Sequence, residues 1–157
     1  MGAGLVSLTF ALEDDGFACL LAGRTVLRSS PGNPALTIAR GAPAVEMVRG
    51  NFAISDAPAD VTALTHAWVE GDAMLLAQSE GGPALMRLTA QGDSLHVETL
   101  TPGYDRVWVN LVAQAGEHVW GGGEQMSYLD LSGRRFPIWT SEPGVGRDKS
   151  TELTRLM

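Results

Sequence analysis

Cysteine occurs once, at Cys19, so the chain has no internal disulfide and no multi-thiolate metal centre. Cys19 lies in an apolar stretch and is expected to be a small core residue. Long hydrophobic runs are also missing: none approaches the ~18 to 20 apolar residues that a membrane span needs. Residues 3–12 are mildly apolar, but no Lys or Arg precedes them and Glu13-Asp14-Asp15 follows, the reverse of a secretory leader. These absences predict a cytoplasmic protein with no membrane partner. Basic residues are scarce over residues 1–120, where thirteen acids face six arginines and account for the whole net charge of −7. A body of that sign excludes nucleic acid as the expected partner, because phosphates require a basic face. Residues 121–157 hold five acids and five basic residues, and polar chemistry is expected there. No convincing helical period, repeat or low-complexity segment is present.

What is there is a succession of short strands. Val6-Ser7-Leu8-Thr9-Phe10-Ala11-Leu12 and Ser94-Leu95-His96-Val97-Glu98-Thr99-Leu100 alternate with period two. Apolar runs lie near residues 17–21, 24–28, 35–39, 44–48, 61–69, 73–78 and 84–89. Turn signals separate them, among them Ser30-Pro31-Gly32-Asn33, Glu70-Gly71-Asp72 and Gln91-Gly92-Asp93. The Gly-Asp turns predict hairpins. Residues 106–112 form a further strand, with Trp108 expected to pack in the core or between sheets. Strands at this spacing predict an all-β, antiparallel sandwich. With 157 residues and apolar content of 45%, the chain suits one domain with a real core. The expected division is a sandwich body over 1–120 and a loop system with the start of further strands over 121–157.

The texture changes after residue 120. His118-Val119-Trp120 begins as a strand and runs into Gly121-Gly122-Gly123-Glu124-Gln125. Three glycines permit backbone dihedrals and close approaches barred to other residues. Glu124 and Gln125 then offer a carboxylate and an amide suited to hydroxyl groups. A nucleotide loop is disfavoured, because the Lys-Ser/Thr ending, the G-x-G-x-x-G spacing and a following helix are all missing. The plainer alternative is a glycine-rich bulge with Glu124 bonded to nearby backbone. Ser132-Gly133 is a turn signal, and one of the adjacent Arg134 and Arg135 is a candidate partner for Glu124, Asp130 or Glu142. His66, His96 and His118 show no metal-ligand spacing and are taken as strand residues.

The run Gly121-Gly122-Gly123-Glu124-Gln125-Met126-Ser127-Tyr128, with Asp130-Leu131-Ser132-Gly133-Arg134 and Phe136-Pro137-Ile138-Trp139-Thr140-Ser141-Glu142-Pro143-Gly144-Val145-Gly146-Arg147, resembles the N-terminal domain of bacterial sulfoquinovosidases in glycoside hydrolase family 31. Arg49-Gly50-Asn51-Phe52-Ala53-Ile54-Ser55-Asp56 is similar to a segment of the same proteins. The resemblance implies a galactose mutarotase-like sandwich belonging to a retaining α-glycosidase. Such enzymes release sulfoquinovose, a glucose derivative with a sulfonate at carbon 6. They act through two aspartates on a (β/α)8 barrel whose mouth a sandwich loop overhangs. Such a barrel is the implied partner, with a sulfoquinovoside or plain α-glucoside as substrate and no cofactor or metal. The chain is expected to be a fragment without catalytic residues, since it ends before any barrel.

The resemblance also implies the candidate site. Glu142 matches the family's Trp-x-x-acid position and is the first candidate for a sugar-hydroxyl acceptor; its alternative is an ion pair with Arg134 or Arg147. Gln125 is the second, Glu124 is expected to organise the loop, and Arg147 is expected to be mainly structural. A free-standing carbohydrate-binding sandwich, with Trp108, Trp120, Trp139 and Tyr128 as stacking surfaces, is the competing function. A purely structural interface module is the third.

Overall fold

The computed structural model describes residues 7–48, 51–120 and 130–134. The described residues contain no helix. Their twelve strands form four antiparallel sheets, as alternating and short apolar runs separated by turn residues require. The chain divides into two compact units, residues 1–43 with 56–113 and residues 44–55 with 114–157.

Three sheets make up the first unit. In one, β1 (Leu8–Glu13), β2 (Gly16–Leu21) and β3 (Arg24–Ser29) follow one another as hairpins. A second holds β4 (Leu36–Arg40) between β7 (Ala59–Leu64) and β12 (Arg106–Val109). In the third, β8 (His66–Glu70), β9 (Ala73–Ala77), β10 (Met86–Gln91) and β11 (Ser94–Thr99) form a meander. The two Gly-Asp turns do close hairpins, with Glu70 opposite Ala73 and Gln91 opposite Ser94. Gly71 and Gly92 both adopt φ of 64°, which costs glycine nothing and other residues about 1 kcal/mol.

The apolar run at 61–69 is two strands, not one. β7 pairs with β4, whereas β8 pairs with β9 in another sheet. Thr65 marks the change: its N–H donates to Ala77 O at 3.2 Å, and its hydroxyl donates to Gln78 O at 3.3 Å. A strand that changes sheets at a corner keeps its apolar character through the bend, so hydropathy alone does not reveal the break.

All three sheets contribute to one core. Phe17, Cys19 and Leu27 meet Leu36, Ile38 and Leu64 with Met74, Leu76, Met86 and Leu88. Runs without alternation occupy the protected positions: β9 is buried along its whole length, and β2 at Phe17, Ala18 and Cys19. Desolvation raises the Cys19 thiol to about 11, in keeping with its expected role as a core residue. Ser29 is the fully buried polar residue of this interior, where Thr62 is buried as well. Its hydroxyl donates to Leu64 O and accepts from Ala35 N, each at 3.1 Å, and so ties β3 to β7 and to the residue that leads into β4.

β12 departs from expectation. Trp108 is 41% exposed, and Val107 and Val109 on the opposite face are exposed as well. Among the described residues the strand pairs with β4 on one side only. Beyond it Leu111 and Val112 continue the exposed apolar strip, although Asn110 N–H still donates to Ala35 O and Val112 N–H to Val26 O. At its base, Arg106 grips Asp56 through Nε at 2.7 Å and Nη2 at 3.4 Å. Asp105 accepts from Gly41 N at 2.8 Å. A Cβ at Gly41 would sit 2.6 Å from the Arg106 guanidinium carbon, so the bare backbone is what lets the arginine lie flat.

In the second unit β5 (Ala44–Val48) and β6 (Asn51–Ser55) form a hairpin. The remaining described part, residues 114–120 and 130–134, holds no strand.

Candidate functional site

Glu124, Gln125, Glu142 and Arg147 lie outside the described residues, as do Tyr128, Arg135 and Trp139. The described residues on either side of 121–129 form a compact polar cluster. It starts at a turn: Glu117 N–H donates to Gln114 O at 3.1 Å, and the Glu117 carboxylate accepts from Gln114 N at 2.8 Å. Gly116 takes φ of 76° there.

On sequence grounds His118 belongs to a strand. Instead, residues 118–120 are irregular, and His118 is bonded to Asp130 with Nδ1 2.7 Å from Oδ2. Oδ1 of the same carboxylate accepts from Ser132 N at 3.0 Å and from Val119 N at 3.3 Å. Leu131 N–H donates to Val119 O at 2.7 Å, and the Ser132 hydroxyl to Glu117 O at 3.2 Å. The expected Ser132-Gly133 turn is present, closed by Arg134 N–H to Leu131 O at 3.1 Å with Gly133 at φ of 70°.

The His118 contact above all, then the Ser132 and Val119 N–H groups, holds the Asp130 carboxyl well below the usual carboxylate range. An ionised carboxylate only accepts, so Nδ1 carries the shared proton and Nε2 points away as the second functional nitrogen. The imidazole also stacks on Trp120, with ring centroids 5.6 Å apart and planes at 27°. Asp130-Leu131-Ser132 has the Asx-turn signature, in which a side-chain oxygen takes up the N–H two residues on. That local signal was legible; the partner twelve residues earlier was not.

Among the described residues no group of three or more His, Cys, Asp and Glu side chains could hold a metal ion. Nor is any helix there long and apolar enough to cross a membrane.

Residues 12–153 match the family model of the glycosyl hydrolase 31 N-terminal galactose mutarotase-like domain, and the chain belongs to that family. Two sulfoquinovosidases are among its relatives. That of Agrobacterium fabrum is 48% identical over 145 residues, covering 92% of this chain and 22% of that protein. The Escherichia coli enzyme is 38% identical over 157 residues, covering 96% and 23%. A solved structure of a family 31 sulfoquinovosidase from E. rectale, in complex with an aza-sugar inhibitor, superposes with a TM-score of 0.69 at 32% identity. It too is covered over 22% of its length by 92% of this chain. The chain therefore spans between a fifth and a quarter of the length of these relatives.

Proposed function

We propose that this chain is the N-terminal part of a glycosidase acting on α-sulfoquinovosides, in the cytoplasm, by a retaining mechanism. The observation that carries this is the 48% identity to the A. fabrum sulfoquinovosidase across nearly the whole chain. Retaining hydrolysis needs two carboxyl groups about 5 to 5.5 Å apart, one ionised and one protonated. Asp130 is held firmly in its ionised state by its neighbours, which suits an acceptor and not an acid. The catalytic pair is therefore assigned to a barrel domain in the rest of the longer protein. Residues 1–120 serve as the sandwich body, and 121–157 as the loop system that reaches the sugar. There Glu142 and Gln125 accept and donate hydrogen bonds to hydroxyls, Glu124 orders the loop, and Arg147 supports it. The exposed strip of β12 and residues 111–112 is the packing surface for the barrel, as an apolar patch open on both strand faces requires a cover.

The exposed indoles of Trp108 and Trp120 support a second reading, a carbohydrate-binding module that works without a barrel. The two separate cleanly. The polypeptide encoded by the whole reading frame around these residues is assayed for sulfoquinovose release, and the 157-residue chain is titrated with the same glycoside. Turnover by the first and no binding by the second at millimolar ligand is the expected result. Saturable binding by the short chain would favour the module.

Glu142→Gln in the longer polypeptide is expected to lower kcat/KM about 10- to 100-fold, the worth of one charged hydrogen bond, with its melting temperature kept. Unchanged kcat/KM with a lower melting temperature would assign Glu142 to an ion pair with Arg134 or Arg147 instead.

A further inference from the structure

We infer that His118 and Trp120 form a sugar-contacting pair, oriented by Asp130, that binds the pyranose ring of the glycoside. This rests on the glycosidase assignment above; it adds His118 and Asp130, which neither the motifs nor the family match single out, and moves Trp120 from a free-standing module to the enzyme's own sugar site. Four observations converge. Trp120 is 64% exposed, the most open tryptophan among the described residues. Its ring is nevertheless held in place by the stacked imidazole. That imidazole is fixed through Nδ1, and the carboxylate fixing it is itself anchored by two backbone N–H groups. Nε2, the remaining hydrogen-bonding nitrogen, lies on a side chain that is more than half exposed.

An indole face beside one directed polar nitrogen matches the chemistry of a pyranose: its C–H face stacks on an aromatic ring while a hydroxyl at the rim takes a directional hydrogen bond. Each side chain already has a partner in the free chain, the imidazole both the indole and Asp130, which lowers the ordering cost of binding. Charge selects which part of the substrate is met here. The Asp130 carboxylate beside the imidazole disfavours an anionic group here, so the pair suits neutral hydroxyls rather than the sulfonate. Ser132 is not a further ligand, because its hydroxyl is spent on Glu117 O and Val119 N.

The experiment uses the full-length polypeptide and an α-sulfoquinovoside, with Trp120→Ala, Trp120→Phe, His118→Ala and His118→Gln. A group that contacts substrate equally in ground and transition states changes KM and leaves kcat alone. Trp120→Ala is expected to raise KM about tenfold and His118→Ala about fivefold, with kcat within about twofold of the parent. Trp120→Phe restores most of the loss by restoring a stacking face, and His118→Gln restores part by restoring a polar group. Parent-like KM in both alanine variants, with the parent active, overturns the pair while leaving the glycosidase assignment intact. If an alanine variant does not fold, the conservative one decides: a KM raised about twofold at kept kcat in His118→Gln or Trp120→Phe supports a contact, and a parent-like KM or a fall in kcat alone overturns it. An inactive parent removes the glycosidase assignment and the pair with it.

Discussion

Ser29 carries more of the first unit than its size suggests. It is fully buried, and its hydroxyl bonds one backbone acceptor on β7 and one backbone donor just ahead of β4. Ser29→Ala keeps the shape but removes the hydroxyl from the Ala35 N–H and the Leu64 carbonyl at a fully buried position. The expected loss is about 1–3 kcal/mol of unfolding free energy in urea melts, more than a surface serine would cost. Asp130 is the counterpart in the second unit, a single carboxylate that organises an imidazole and two N–H groups. Residues of this kind were partly legible beforehand. Cys19 was, because a lone thiol in an apolar run has one plausible place. His118 was not, because nothing in its neighbours' hydropathy encodes a partner twelve residues away in an irregular segment.

Among the elements, the hairpins were the most legible, because their turns are short and chemically constrained. The Gly-Asp turns set the registers of β8 with β9 and of β10 with β11. The β2–β3 turn is a less favourable version of the same device. Ala22 and Gly23 both take positive φ, 51° and 77°, as a type I′ turn demands, yet alanine tolerates that region poorly. Ala22→Asn is therefore expected to raise stability by about 0.5–1 kcal/mol, visible as a higher thermal midpoint with the same fold by circular dichroism. Two features escaped the sequence at this scale. The 61–69 run hides a change of sheet at Thr65, since both strands flanking the corner are apolar. β12 has the composition of an interior strand but lies at a sheet edge among the described residues, and composition cannot tell a strand whose neighbour is in the same unit from one that is covered otherwise.

For the whole molecule, the all-β class and the sandwich core follow from strand spacing and turn chemistry, and the family match agrees with them. The site was legible only as a place, the neighbourhood after residue 120, because its chemistry depends on contacts between irregular segments. The exposed strip from β12 to Val112 gives the assignment to a larger enzyme a direct physical test. Val109→Lys adds a charge to an open edge that is otherwise suited to strand pairing. It is expected to reduce self-association of the 157-residue chain in sedimentation experiments, and to lower the melting temperature of the longer polypeptide by burying a charge at the domain contact. A longer polypeptide that tolerates the lysine unchanged would show that the barrel packs elsewhere.

The core thiol has a practical corollary. Cys19 has no exposed surface and burial pushes its thiol up to about 11, so in the folded chain it reacts slowly with maleimides and disulfides, which need an accessible thiolate. For chemical labelling the native chain is effectively cysteine-free. A single cysteine installed on its surface would carry a dye or spin label with little background from Cys19.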